Sequence, residues 1–166
     1  MRKILYVILF LLVIPKLSAQ SSDYKFHSVF IYNFTKYIQW PPAQQSGDFI
    51  IGVLGTTPAF DELQKITGNK LVGTQKIIVK KFKSAAEIED CHILFIPGTG
   101  SFEAAQAKLK GKATLIVTEK SGLAQKGSSI NFVMQDNKWK FELNESTMQS
   151  AGLKVSKELT KLAILV

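Results

Sequence analysis

Apolar and polar positions alternate in three different ways along the chain. Between Ser22 and Gln39, Phe26, Phe30, Phe34 and Ile38 recur every four residues, which is one stripe of a helix, while Lys25, Ser28, Thr35 and Gln39 fall on another face. Ser22 or Asp23 can cap this helix, and Trp40-Pro41-Pro42 ends it, because a residue before proline is pushed out of the helical region. Short continuous apolar runs follow at Phe49–Leu54, Ile77–Val79, Ile93–Ile96 and Ala113–Val117. Runs of this length without polar alternation read as strands covered on both faces. Helical stretches separate them: Thr57–Ile66, with Thr57 as cap and Pro58 in the first turn, a short piece at Ala85–Glu89, and Ser101–Lys110 closed by Gly111. The third pattern is strict alternation, in Ser129–Met134 and Lys138–Leu143 around Asp136-Asn137, and it predicts an antiparallel hairpin. Asn144 then caps a short helix through Ala151 with Gly152 at its exit, and Val155, Leu159, Leu162, Ala163 and Val166 predict a last amphipathic helix.

The order β-α-β-α-β-α-β followed by a hairpin predicts an α/β fold. It is a mostly parallel sheet flanked by helices, with a C-terminal antiparallel hairpin, in a single domain spanning residues 20–166. The first nineteen residues stand outside it. Arg2 and Lys3 precede an unbroken apolar run, Ile4–Ile14, then Pro15, Lys16 and the small pair Ser18-Ala19. A membrane-spanning helix needs about 20 apolar residues, so this run is too short to span and reads as a secretory signal peptide, residues 1–19, cleaved after Ala19. The protein is therefore expected to be exported. Cleavage removes Arg2, Lys3 and Lys16 and no acid, so the formal charge of +8 falls by three to +5. Spread over single lysines, that balance suits solubility rather than nucleic-acid binding, and Lys80, Lys81 and Lys83 around Phe82 read as a solvated strand edge. No nucleic-acid partner is expected. Cys91 is the single cysteine, so no internal disulfide can form, and its place at the start of an apolar strand predicts buried packing.

Candidate chemistry is sparse. Parallel sheets bind ligands at the carboxyl ends of their strands. Two strands run there into loops rich in glycine and hydroxyls, Gly55-Thr56-Thr57 and Gly98-Thr99-Gly100-Ser101. Backbone N–H groups at such helix starts suit a small anion, although neither loop matches a Walker or dinucleotide fingerprint and plain capping explains both. His27 has no carboxylate one helical turn downstream, and Cys91 and His92 are neighbours on a strand, so their side chains point to opposite faces. No His-x-x-x-His or Cys-x-x-Cys spacing is present, and neither a metal nor a cofactor is expected. Glu142, between Phe141 and Leu143, suits an ion pair with a lysine such as Lys140 or Lys154. Tyr32, Asn33, Tyr37, Asn131 and Asn144 need hydrogen-bond partners if the first helix packs deeply, which makes them structural ties between helix and hairpin or a small polar site. Trp40 and Trp139, if exposed, are the natural interface anchors. Nothing in these patterns points to catalysis.

Several blocks together resemble one family. Val29-Phe30-Ile31-Tyr32-Asn33-Phe34-Thr35-Lys36-Tyr37-Ile38-Gln39-Trp40-Pro41 is similar to the opening helix of the YfiR-like periplasmic proteins. Cys91-His92-Ile93-Leu94-Phe95-Ile96, Ile130-Asn131-Phe132, Phe141-Glu142-Leu143-Asn144 and Ala151-Gly152-Leu153-Lys154-Val155-Ser156 follow in the same order. The likeness runs from about Tyr24 to Val166. It implies a periplasmic regulatory protein, not an enzyme, with a small α/β domain that dimerises. Such proteins bind the periplasmic part of an inner-membrane diguanylate cyclase and hold it inactive, lowering cyclic-di-GMP. An outer-membrane-associated partner sequesters the regulator, and in other settings the effector is a sensor kinase. Some relatives carry disulfides that a chain with Cys91 alone cannot make. The alternative is a periplasmic small-molecule sensor holding an anionic ligand in the two glycine loops. A hydrolase or transferase ranks last.

Overall fold

A computed structural model describes residues 17–98 and 101–166, with side chains from residue 23 onward. Of the signal peptide expected over residues 1–19, residues 1–16 lie outside the described residues. The first helix, α1, runs Leu17–Tyr37, five residues earlier than the expected start at Ser22, since nothing between Leu17 and Ser22 breaks a helix. Asp23 is not a cap: its carboxylate accepts instead from Trp139 Nε1 at 2.9 Å. After α1 come β1 (Ile38–Gln39), β2 (Phe49–Leu54), α2 (Ala59–Thr67), β3 (Leu71–Val72), β4 (Gln75–Phe82), β5 (Ile93–Ile96) and α3 (Phe102–Lys108). Then follow β6 (Leu115–Thr118), β7 (Ile130–Gln135), β8 (Lys138–Leu143), α4 (Glu145–Ser150), β9 (Lys154–Val155), α5 (Lys157–Leu162) and β10 (Ile164–Leu165). The expected helix at Ala85–Glu89 is one 3₁₀ turn, Ala85–Glu87.

Among the described residues, eight strands form one curled mixed sheet in the order β10-β8-β7-β6-β5-β2-β4-β3, and β1 and β9 form a separate antiparallel pair. The five strands β4, β2, β5, β6 and β7 are mutually parallel in that spatial order. In sequence order this is 2-1-3-4-5, a doubly wound arrangement. The hairpin joins the sheet through β7, parallel to β6 with Val117 opposite Ile130, and β8 lies antiparallel beyond it. Asp136 and Asn137 turn the hairpin at φ 52° and 58°, the left-handed pair that a two-residue turn between twisted strands requires. Successive strand residues face opposite cores. Ile51, Val53, Ile93, Phe95, Leu115 and Val117 pack with Ile31, Phe34, Leu63, Phe132 and Phe141 under α1 and α2. Leu54, Leu94, Ile96 and Ile116 face the other way, against Phe102, Ala105 and Leu109 of the α3 segment. Gly52 lies on that second face, where an added Cβ would come within 2.6 Å of the Phe82 ring.

Two further expectations change. Ser28 and Thr35 are buried, although the stripe placed them on another face, because α1 packs against both the sheet and α2. The last amphipathic helix is instead a strand, a short helix and a strand. Val155 pairs with Ile38, Ser156 caps α5 by accepting from Leu159 N at 3.2 Å, and Ile164 runs parallel to β8 opposite Glu142. The backbone edge of β8 competes successfully with helix continuation there.

Candidate functional site

In this strand order the connections of β2 and β5 leave in opposite directions, one through α2 on the first face and one through α3 on the second. The carboxyl ends of β2 and β5 therefore diverge into a cleft, the place where open α/β sheets hold ligands. A cavity of about 440 Å³ occupies it, lined by Gly55, Thr56, Thr57, Pro58, Gly98, Tyr24 and Glu119. Of the two sequence-derived loops, the first contributes Gly55, Thr56 and Thr57 to the lining and the second contributes Gly98. Gly55 (φ 84°) and Gly98 (φ 74°) sit in the left-handed region that lets each strand turn sharply toward its helix. The Thr57 hydroxyl accepts from Ala59 N at 3.2 Å in a turn ahead of α2, but Pro58, not Thr57 as expected, holds the cap position of that helix. Ser101 makes no side-chain cap on α3, and Thr99 and Gly100 lie outside the described residues.

Sequence reasoning missed the charged wall of this cleft. Glu119 follows β6 directly, and its carboxylate accepts from the Tyr24 hydroxyl at 3.1 Å. Its other oxygen lies 3.1 Å from His27 Nδ1, close enough for an ion pair but not aligned as a hydrogen bond, and Nε2 of His27 has no partner among the described residues. His27 is fully buried, with its ring stacked on Phe132 at 4.2 Å and the Trp139 ring edge-on at 4.5 Å. The search for an acid one turn along the helix could not find Glu119, which is brought across by tertiary packing. Burial pushes the Tyr24 phenol above its ordinary value, the Thr57 hydroxyl pulls it back, and the Glu119 and Asp23 charges raise it further. Glu119 gives the cleft one acidic side, which opposes an anionic ligand placed against that wall.

The polar residues expected as structural ties divide. Asn131, fully buried, accepts from Thr118 Oγ1 at 2.7 Å and donates to Glu142 Oε2 at 2.8 Å. Glu142 takes its bonds from Asn131 and, at 3.5 Å, Gln125, not from Lys140 or Lys154. Asn144 caps α4 by accepting from Thr147 N at 2.9 Å and donates to Ala124 O at 2.9 Å. These three join β6, β7, β8 and the Glu119–Ser129 connection. Tyr32 and Asn33 do not reach the hairpin. Lys36 Nζ donates to Asn33 Oδ1, and Lys36 and Lys70 lie over the Tyr32 ring at 4.7 and 4.9 Å.

Trp40 is not an exposed anchor. It is buried, edge-on to Phe49 at 4.9 Å, and its Nε1 donates to His92 O at 3.1 Å. Trp139 is half-buried, stacked on Phe26 at 6.3 Å and tied to Asp23. His92 is held from both sides, Nδ1 accepting from Ile50 N at 3.0 Å and Nε2 donating to Gln44 O at 2.9 Å. Burial lowers its pKa, with the Gln44 carbonyl pulling weakly the other way. Cys91 faces the opposite core, and burial pushes its thiol up to about 12, an unreactive packing residue.

No described helix is long and apolar enough to cross a membrane, and no cluster of three His, Cys, Asp or Glu among the described residues could hold a metal. A search among curated proteins finds no match. The YfiR/HmsC-like family matches residues 24–164, from the Tyr24 that closes the cleft to the Ile164 that pairs with β8, and the chain belongs to that family.

Proposed function

We propose that this protein works in the bacterial periplasm as a regulator that binds an inner-membrane signalling protein, such as a diguanylate cyclase or sensor kinase, and represses it. The observation that carries this reading is family membership over residues 24–164. The YfiR/HmsC-like family is one of regulators of cyclic-di-GMP signalling. Residues 1–19 act as the export signal, the working form is a homodimer, and an outer-membrane-associated protein is the natural competitor for the regulator. The apolar surface such a binding protein needs is present at the C-terminal edge, where Leu162, Leu165 and Val166 are 69%, 52% and 43% exposed. The test is a pull-down from detergent-solubilised membranes with the tagged chain from Gln20, paired with cyclic-di-GMP measurement after deletion of the gene. Recovery of a membrane cyclase and a rise in cyclic-di-GMP are expected. Recovery of the chain alone with unchanged cyclic-di-GMP would overturn the reading.

The switch-point cleft favours a second reading, a small-molecule sensor. Glu119 in its wall selects a ligand that offers a hydrogen-bond donor or a positive charge. Replacement Glu119→Gln would then weaken ligand binding without altering recovery of the membrane partner.

A further inference from the structure

A second cavity lies on the opposite face, away from the switch-point cleft, and the fold explains why it exists. Doubly wound sheets cover each face with crossover helices. The connection from β6 to β7, Glu119–Ser129, is a run of turns without a helix. Beyond α3 the second face is covered only by these turns, from which Leu123 packs into the second core, and a groove of about 420 Å³ opens between α3, the Gly127–Ser129 segment and α4. That volume is in the range that holds a small ligand, and the lining is mostly apolar with a few polar groups, the make-up of a binding site.

Leu109 and Ile116 form the floor, and both are almost wholly buried. Two hydroxyls line the walls with protons not given to any acceptor among the described residues. Ser129 Oγ, fully buried, accepts from Ile116 N at 3.3 Å, and Thr147 makes no side-chain bond there. Just past the C-terminus of α3 the rim carries Lys110 and Lys112. Lys112 is paired with Asp90, and Lys110 has no carboxylate partner among the described residues. The one acid on the lining, Glu103, belongs to the first turn of α3, at the other end of that helix. Donors and positive charge thus gather beside an apolar floor.

We propose that this groove binds a small amphiphilic carboxylate, with its apolar body on Leu109 and Ile116 and its carboxylate toward Lys110 and the free hydroxyl protons. The site is independent of the membrane partner and of the cleft at β2 and β5. The probe is decanoate, titrated into the purified ¹⁵N-labelled chain, with decanol and decylamine as controls of equal length. Saturable shifts are expected at residues 109–116 and 147–151, with decanol weaker by about tenfold and decylamine weaker still. Lys110→Glu is expected to weaken decanoate by a similar factor. Ala107→Trp, at an exposed wall position, is expected to abolish binding with the melting temperature unchanged, and Ser150→Trp on the facing wall serves if that variant does not fold. Shifts elsewhere, equal affinity for the three probes, full binding by Ala107→Trp, or no saturation would each overturn the proposal.

Discussion

The two faces of the sheet are built to different standards. On the first, α1 and α2 lie over a continuous core, and aromatic rings run from α1 onto the hairpin. Phe34 meets Phe141 at 5.4 Å and Phe132 at 6.0 Å, Phe30 meets Phe141 at 6.0 Å, and His27 stacks on Phe132. On the second, α3 and one 3₁₀ turn cover β2, β5 and the near side of β6, and a groove begins where the β6–β7 connection supplies no helix. The hairpin is thus held to the molecule mainly through its first face. Stability is concentrated on one side of the sheet, which leaves the other free to present a cavity.

The sharpest way to break this contrast is a matched pair of truncations. Phe132→Ala removes a fully buried ring from the centre of the aromatic run and is expected to cost about 4 kcal/mol. Ile116→Ala, at the floor of the groove, is expected to cost about 2 kcal/mol, because one side of its side chain already borders open space. Urea denaturation of both variants decides it. Equal losses would mean that the second face is as tightly packed as the first.

A polar counterpart tests how the hairpin is fastened. Asn131→Ala leaves Glu142 and the Thr118 hydroxyl without their shared partner in a buried strand layer. The expected loss is about 2 kcal/mol by the same measurement. A loss near zero would assign the hairpin's attachment to the aromatic rings alone.

Much of the fold is legible in the sequence because burial on both faces removes polar alternation. Phe49–Leu54 and Ile93–Ile96 are strands to the residue, and Asp136-Asn137 marks the turn. The C-terminus was not legible for the opposite reason. Val155, Leu159 and Leu162 fit a helical stripe, but the open edges of β1 and β8 claim Val155 and Ile164 as strand residues, and local spacing carries no information about distant edges. The cleft was half legible. Its two glycine loops follow from strand ends and turn chemistry, whereas Glu119 meets Tyr24 and His27 across more than ninety positions, which no local pattern records. Trp40 misleads because tryptophan is the commonest interface anchor, yet its indole N–H finds a carbonyl inside the core.

A shallower effect separates the buried histidine of known tautomer from the rest of the first core. His92 is neutral in the folded state, with Nδ1 occupied by the Ile50 N–H, and burial holds its pKa below the unfolded value near 6.5. The unfolded chain therefore binds the proton first. The stability contributed by neutral His92 is complete above about pH 6.5 and is lost as pH falls through the lowered folded pKa. Urea midpoints between pH 7.5 and 5 should fall more steeply for the native chain than for His92→Gln, and parallel profiles would remove His92 from the account.

The smallest expected effect on folding carries the most information about function. Within the six residues of α5, Leu159 is 3% exposed in the first core while Leu162 is 69% exposed. Leu162→Ser should change stability by no more than about 0.5 kcal/mol, since it removes no core contact. A large apolar side chain left so open on a short helix, beside the exposed Leu165 and Val166, loses free energy to water in the isolated chain and regains it only when something covers it. If that cover is the membrane partner, Leu162→Ser lowers recovery in the pull-down with the urea midpoint intact. If it is a second copy, the same change shifts the sedimentation profile toward monomer. A variant that binds and assembles as the native chain does would show that the C-terminal edge is ordinary surface, and the partner surface would then have to lie elsewhere on the molecule.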